Sequence, residues 1–511
     1  MVAKKRNPGA LGWLRLSEDW LACWVGLLLI ILVVAGLPVR RPSFNWTTDG
    51  QFLALAEQKL PAATELISTA EARGEAELVA AADSLRAALL TGERAAIGES
   101  AKSLGEAQVT DEELAEIASA IGKDLSTQAG RTPGKVLSSE NIARSVIAGI
   151  LLLAFAAAGN FFLGRPVVRF LTGFPAVFGL AWISMAVAGN YSAQYYGLEF
   201  ALWALLTGLF VSNVLRLPAW IKEAVRTEYY IKTGLVLMGT GILFGEILRA
   251  GVYGVIQAVL VVSVVWYISY RLARKLNMDD EFAAIMASGV SICGVSAAIA
   301  AAGAVQGDKK HLSFVTSIVM LVAVPMMIAM PLLARMIGLP DMVAGAWLGG
   351  TIDTTGAVVA AGALYSDTAM KIATIVKFSQ NVLLGVAALF LAIVWTCKKG
   401  SAGEQPGAAI IWHRFPKFVL GFLAASMIFS FFVSPGTVKE YSGTLNFLRN
   451  LWFALAFVSI GLETNFRELL GLQSLRPALA FLGGQAVNII WTLLLAYLLF
   501  SGIFFAVPLI G

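Results

Sequence analysis

Apolar residues come in long runs that follow one another with only short polar stretches between them. The first runs from Trp20 to Leu37. The others lie near 143–163, 172–188, 196–215, 230–247, 252–270, 281–304, 312–337, 343–364, 369–396, 415–433, 446–463 and 476–508, about thirteen segments in all. A helix rising about 1.5 Å per residue needs roughly 18–20 apolar residues to cross a hydrocarbon core of about 30 Å. The pattern therefore predicts an all-α polytopic membrane protein. The first run is long for the apolar part of a cleavable signal peptide, and no clear small-x-small cleavage site follows it. It reads as a transmembrane helix behind the basic Lys4-Lys5-Arg6 start.

One stretch breaks the pattern. Residues 42–140 repeat Ala, Glu and Leu at helical spacing, as in Glu65-Leu66-Ile67 and Glu112-Glu113-Leu114. This predicts two or three soluble amphipathic helices, with a linker at Gly130 to Gly134 before the membrane part. The stretch holds 16 acidic and 8 basic residues, a net −8 inside a chain of +5. With the basic N-terminus in the cytoplasm, it becomes an extracytoplasmic helical insert. It reads as a solvated helical hairpin rather than a partner-binding cap. The expected divisions are 1–41 (cytoplasmic N-terminus and first transmembrane helix), 42–140 (acidic insert) and 141–511 (transmembrane core).

Composition agrees with the pattern. Of 511 residues, 58% are hydrophobic and 14% charged, and mean hydropathy is +0.75. Soluble domains carry about 25% charged residues, so a soluble enzyme is excluded. Cys23, Cys293 and Cys397 form no paired zinc spacing or disulfide framework. Two histidines are too few for a histidine-based metal site. The basic excess reports orientation, not nucleic acid. Arg165 and Arg169, then Arg216, Lys222 and Arg226, then Arg271, Arg274 and Lys275, then Lys398, Lys399 and Arg414 fall on one side in an alternating count. Lys309-Lys310 breaks that count if 281–304 spans fully, so this segment is either broken or re-entrant.

Two runs are interrupted at mid-depth by small and polar residues. One reads Ser288-Gly289-Val290-Ser291-Ile292-Cys293-Gly294-Val295-Ser296, the other Gly349-Gly350-Thr351-Ile352-Asp353-Thr354-Thr355-Gly356-Ala357. Glycines such as Gly345 and Gly349 also serve close helix packing. A carboxylate costs about 2.5–3.5 kcal/mol at the centre of a span and marks a pathway or coupling site, so Asp353 singles out the second run. Lys377, Gln380 and Asn381 share one helix face, and a buried Lys377 needs a counter-charge, from Asp353 or from an anion. Lys232 reads as a residue reaching for the cytoplasmic surface, and Asn488 as isolated. Phe244-Gly245-Glu246-Ile247-Leu248 echoes Phe466-Arg467-Glu468-Leu469-Leu470 on antiparallel runs, the trace of an inverted repeat. No nucleophile elbow, P-loop or HExxH motif is present. A secondary transporter is expected, not an enzyme or an ATP-driven pump.

The blocks Ser291-Ile292-Cys293-Gly294, Gly349-Gly350-Thr351-Ile352 leading to Val358-Val359-Ala360-Ala361-Gly362, and Ile460-Gly461-Leu462 resemble, in order and spacing, the YeiH-type membrane proteins described as sulfate exporters. The resemblance covers roughly 143–511. It implies a bacterial inner-membrane protein related to the cation:proton antiporter and anion transporter superfamily, with inverted repeats and broken helices crossing near mid-membrane. It also implies sulfate, sulfite or a related small anion as substrate. The family commonly has a His, an acidic residue and Ala-Gln before the VVAAG block; this chain has Asp353-Thr354-Thr355-Gly356 instead.

The expected site is Ser291, Cys293, Gly294, Ser296, Thr351, Asp353, Thr354, Thr355, Lys377, Gln380 and Asn381. Asp353 would carry a coupling Na+ or H+, and Lys377 would balance charge. No other cofactor and no metal is expected. Partners are the small anion, the lipid bilayer and, in one alternative, a second copy in a homodimer. Two other functions fit the residues: a sodium or proton antiporter, and a membrane sensor or scaffold acting through the acidic insert. Two interrupted spans with one span between them would be parallel, which conflicts with their being inverted counterparts.

Overall fold

The computed structural model describes residues 17–216, 218–399, 409–465 and 475–505. Lys4–Arg6, and the second half of the five-residue echo at Phe466–Leu470, lie outside them. The described chain is helical and falls into two compact units: one made of Arg40–Ala148 with Met185–Leu198, the other holding the remaining residues.

The chain begins with α1 (Glu18–Val34), capped by Ser17, whose hydroxyl accepts from the Trp20 N–H. The smaller unit then contains α2 (Asp49–Arg73), α3 (Ala76–Thr91), α4 (Arg94–Glu106), α5 (Glu112–Ala129) and the single turn α6 (Pro133–Val136). Four full helices replace the two or three expected. Gly74 and Gly92, both at positive φ, end α2 and α3, whereas α3 and α4 start without a side-chain cap, so their starts leave little mark in the sequence. α2 starts in a reciprocal Thr48–Gln51 capping box, and α5 on Asp111, which accepts from the N–H groups of Glu113 and Leu114. Phe52, Leu66, Leu85, Ile97, Leu104 and Leu125 fill a common core. Arg94 ties the two ends of the unit together. Its guanidinium donates to the carbonyls of Thr47, Gln128, Ala129 and Arg131, and lies 4.9 Å from the Phe52 ring centre.

The larger unit continues with α7 (Ser139–Phe162), α8 (Val167–Ala188), both of which also pass into the smaller unit, and α10 (Phe200–Phe210) after the single turn α9 (Tyr191–Tyr195). There follow α11 (Thr227–Met238), α12 (Phe244–Lys275), α13 (Asp280–Ser288), α14 (Val295–Val305), α15 (Lys309–Met336), α16 (Asp341–Thr351), α17 (Thr355–Tyr365), α18 (Asp367–Lys399), α19 (Ala409–Arg414), α20 (Phe418–Phe431), α21 (Pro435–Glu463) and α22 (Leu475–Phe500). Among the described residues, α7, α8, α12, α15, α18, α21 and α22 are long and apolar enough to cross a membrane. α21 is buried along nearly all of Leu445–Leu462 and packs on α10 and α11, with α1 against α11 and α20. A second group, α12 to α18 with α22, carries the two interrupted runs.

Neither interrupted run spans. Each doubles back as a hairpin of two half-length helices. In the first, α13 and α14 meet at their outer ends: Phe282 stacks on His311 at 4.4 Å, Asp279 lies 3.6 Å from His311, and Gly307 abuts Ile285. In the second, the Tyr365 hydroxyl reaches the Leu339 carbonyl, Ser366 reaches Asp341 at 2.8 Å, and Arg335 donates to the carbonyls of Leu364 and Tyr365. An eleven-residue helix is about 16 Å long, half the hydrocarbon thickness.

The single helix α15 joins the two hairpins, so they enter from opposite ends. α18 records this along its length: its first half meets α16 and α17 through Ala369, Met370 and Ala373, and its second half meets the first hairpin, from Ile292 against Leu384 to Asp280 against Lys398. The expected parallel pair is thus corrected to two opposed re-entrant hairpins. Lys309-Lys310 returns to the end that holds Arg271, Arg274 and Lys275, and the alternating charge count is restored. Gly345 and Gly349 do press on α18; a methyl group there would fall 2.6 and 2.5 Å from the carbonyl oxygens of Ala369 and Ala373.

Candidate functional site

The hairpin tips meet, and each tip exists because something other than a helix satisfies its backbone. In apolar surroundings a freed carbonyl needs a donor. At the end of α16 the Gly350 carbonyl accepts from Gln380 Nε2 (2.9 Å), the Thr351 carbonyl from Gln485 Nε2 (2.9 Å) and Asn488 Nδ2 (3.2 Å), and the Ile352 carbonyl from Lys377 Nζ (2.8 Å). At the first tip the Val290 carbonyl accepts from Asn488 Nδ2 (3.2 Å) and the Ile292 carbonyl from Lys377 Nζ (2.7 Å). The third Lys377 proton goes to Gln380 Oε1 at 3.1 Å. One ammonium therefore ties both tips to α18.

Lys377 and Asp353 act on one another electrostatically, as buried opposite charges, but without a direct hydrogen-bonded ion pair. The three donors of Lys377 are used by two carbonyls and an amide, and both carboxylate oxygens of Asp353 lack a hydrogen-bond partner. Charge explains the arrangement. A helix C-terminus carries about −0.5 elementary charge; two of them, the ends of α13 and α16, add to about −1, which matches one lysine.

The opposite ends of the breaks face a cleft of about 1080 Å³. Cys293, Val295 and Ser296 at the start of α14, Thr354, Thr355, Gly356 and Ala357 at the start of α17, and Asn381 from α18 line it. α14 begins on Gly294 at φ +55° with no side-chain cap, and α17 on Thr354, whose hydroxyl accepts from the Ala357 N–H. Asn381 donates to Thr355 Oγ1 at 3.2 Å, and its own Oδ1 is unpartnered. Two positive helix ends and four hydroxyl or amide groups thus converge on the cleft. Its walls also carry Glu18, Asp19, Arg165, Arg226, Glu228, Lys232, Lys417 and Glu463. There Lys232 pairs with Asp19 (3.0 Å), Glu228 (3.3 Å) and Glu18 (3.7 Å). It is an ion-cluster residue, not a solvent-seeking one.

All eleven expected site residues lie at the tips or on α18 beside them. Ser296, Thr354, Thr355, Asn381 and Cys293 border the cleft; Ser291, Thr351 and Asp353 are at most 1% exposed behind it. The sequence reading missed Gln257, Gln485 and Asn488. Gln257 donates to the Ala346 carbonyl at 2.8 Å, and Asn488, set aside as isolated, bridges both tips. The available signal was Gln485 and Asn488 three apart, hence on one face of an apolar helix.

A family model described as "Conserved hypothetical protein 698" matches residues 172–480. A UPF0324 membrane protein of Rhodopirellula baltica is 37% identical over 508 residues, 96% of this chain and 90% of that protein. A UPF0324 membrane protein of Nitratidesulfovibrio vulgaris is 39% identical over 387 residues, 71% of this chain and 65% of that protein, so the chain spans just under two thirds of that relative. Another, of Nitrosomonas europaea, is 31% identical over 359 residues, 60% of this chain and 73% of that protein. No solved structure matches.

Proposed function

We propose, from the premise that the chain belongs to the UPF0324 family, also described as the YeiH-type sulfate exporter family, that this multi-pass membrane protein is a secondary transporter of a small oxyanion of the sulfate or sulfite kind. The observation that carries the reading is the pair of helix N-termini, from hairpins entering at opposite ends, that open on one cleft beside Asn381. Helix N-termini take anions through their N–H groups and positive dipole ends, and half-helices aimed at a substrate are the usual device of transporters with broken helices.

The charge balance adds a coupling requirement. Lys377 offsets the two helix C-termini, and the two N-termini, about +1 together, offset an ionised Asp353. With Asp353 ionised, these charges cancel. A bound anion adds negative charge to this balance, which a cation or a proton at Asp353 reduces by one unit, so the two are coupled. In this reading the group holding the hairpins rocks against the group built on α21, in a bacterial inner membrane with the acidic insert outside.

Asp353, which has no donor, equally favours a cation antiporter that carries no anion. Purified protein in proteoliposomes separates the two. Labelled sulfate or sulfite should accumulate under an imposed ion gradient, and Asn381→Ala should lower the rate at least tenfold, about 1.4 kcal/mol of lost binding. An ion-driven pH change with no anion flux would select the antiporter and overturn the anion reading. Removal of residues 48–136 should leave flux in place; a sensor working through the insert would lose its output instead.

A further inference from the structure

Fifteen buried side-chain nitrogen or oxygen atoms among the described residues have no hydrogen-bond partner, and five of them belong to one neighbourhood: Asp353 Oδ1 and Oδ2, Ser291 Oγ, Thr351 Oγ1 and Gln485 Oε1. The four residues are at most 2% exposed. Hydrogen bonds to the backbone bring three of their segments together. Gln485 Nε2 is 2.9 Å from the Thr351 carbonyl, which shares Asn488 Nδ2 with the carbonyl of Val290, the residue before Ser291. A methyl group on Gly294 would stand 3.2 Å from Asp353 Cβ, which brings the second tip against the first. Five orphaned oxygens on neighbouring segments are costly. A buried polar atom without a partner loses about 1–3 kcal/mol, and a lone buried carboxylate more.

We infer that Asp353, Ser291, Thr351 and Gln485 form a binding site for a dehydrated monovalent cation, Na+, behind the anion cleft. The donor set decides the chemistry. All the atoms are oxygens, which suits a hard cation and not zinc or copper, which favour nitrogen or sulfur. A single carboxylate balances one positive charge, where calcium sites gather several. A proton would occupy one Asp353 oxygen and leave the oxygens of Ser291, Thr351 and Gln485 as they are, whereas a cation takes several oxygens as ligands at once. The site lies against the α16 C-terminus, the end of a broken helix that favours a cation. Its coupling role rests on the proposed anion transport; its existence does not.

The test uses the full-length protein in detergent, titrated with NaCl at constant ionic strength against choline chloride, with binding read by 22Na+ retention and by the melting temperature. Na+ should bind saturably and raise the melting temperature, with K+ at least tenfold weaker. Asp353→Asn should abolish retention. Ser291→Ala and Gln485→Met, smaller changes, should each weaken it about tenfold while the proteins still melt cooperatively. Loss of 22Na+ binding in Asp353→Asn alone, with Ser291→Ala and Gln485→Met at wild-type affinity, would overturn the ligand set. Absence of Na+ binding together with anion flux driven by a pH gradient would overturn the cation site and leave the transporter reading standing. Saturable Na+ binding without any anion flux would do the reverse.

Discussion

Lys377→Met is expected to destabilise the protein by about 4 kcal/mol and to abolish flux. The methionine stem fills much of the same space, but the carbonyls of Ile292 and Ile352 and the amide oxygen of Gln380 lose their donor. Each buried acceptor left alone costs about 1–3 kcal/mol, and two helix C-termini lose the charge that offsets them. Lys377→Arg should be intermediate, since a planar guanidinium keeps the charge but cannot direct three bonds from one atom. Melting in detergent and flux in proteoliposomes measure the two effects. A Lys377→Met protein with wild-type melting would show that the tips are held by something else.

The second large effect is expected at Gly294. Its backbone, at φ +55° and ψ −112°, is one that side chains rarely adopt, and a methyl group there would sit 2.6 Å from Val319 Cγ1. Backbone strain of about 1–3 kcal/mol and overpacking of similar size predict a loss of about 3 kcal/mol for Gly294→Ala. The two contributions separate. Val319→Ala in the Gly294→Ala background should recover the overlap and leave the strain, so the double variant should melt above Gly294→Ala alone, a non-additive result for residues in contact. Strict additivity would place Val319 elsewhere when the tip is formed.

Much of this was legible in the chain. The apolar runs, the acidic insert, the two interrupted segments and the charged side of the loops follow from local composition. The re-entrant form did not. A run of 24 residues such as 281–304 is long enough to cross, and a broken span and a hairpin tip use the same Gly, Ser and Thr. Only Lys309-Lys310, on the wrong side for a span, carried the distinction. The donors to the tip carbonyls were hidden for another reason. Gln485 and Asn488 on α22 bind the tips, and Gln257 on α12 binds the Ala346 carbonyl within α16, all far in sequence from their partners, and no local pattern links them. The hydrogen-bond partners of Lys377 were hidden too: Asp353 meets it only as a nearby charge, while two helix ends, about −1 together, take its hydrogen bonds without an acidic residue.

The central claim is that the hairpin tips line a water-filled hollow that holds the anion, and Cys293 offers a direct reading of it. This thiol borders the cleft at the start of α14. In protein carrying Cys23→Ser and Cys397→Ser, a charged methanethiosulfonate should modify Cys293, and saturating sulfate should slow the modification at least fivefold while sodium chloride of equal ionic strength does not. Labelling that sulfate leaves unchanged, in protein that transports sulfate, would contradict the account.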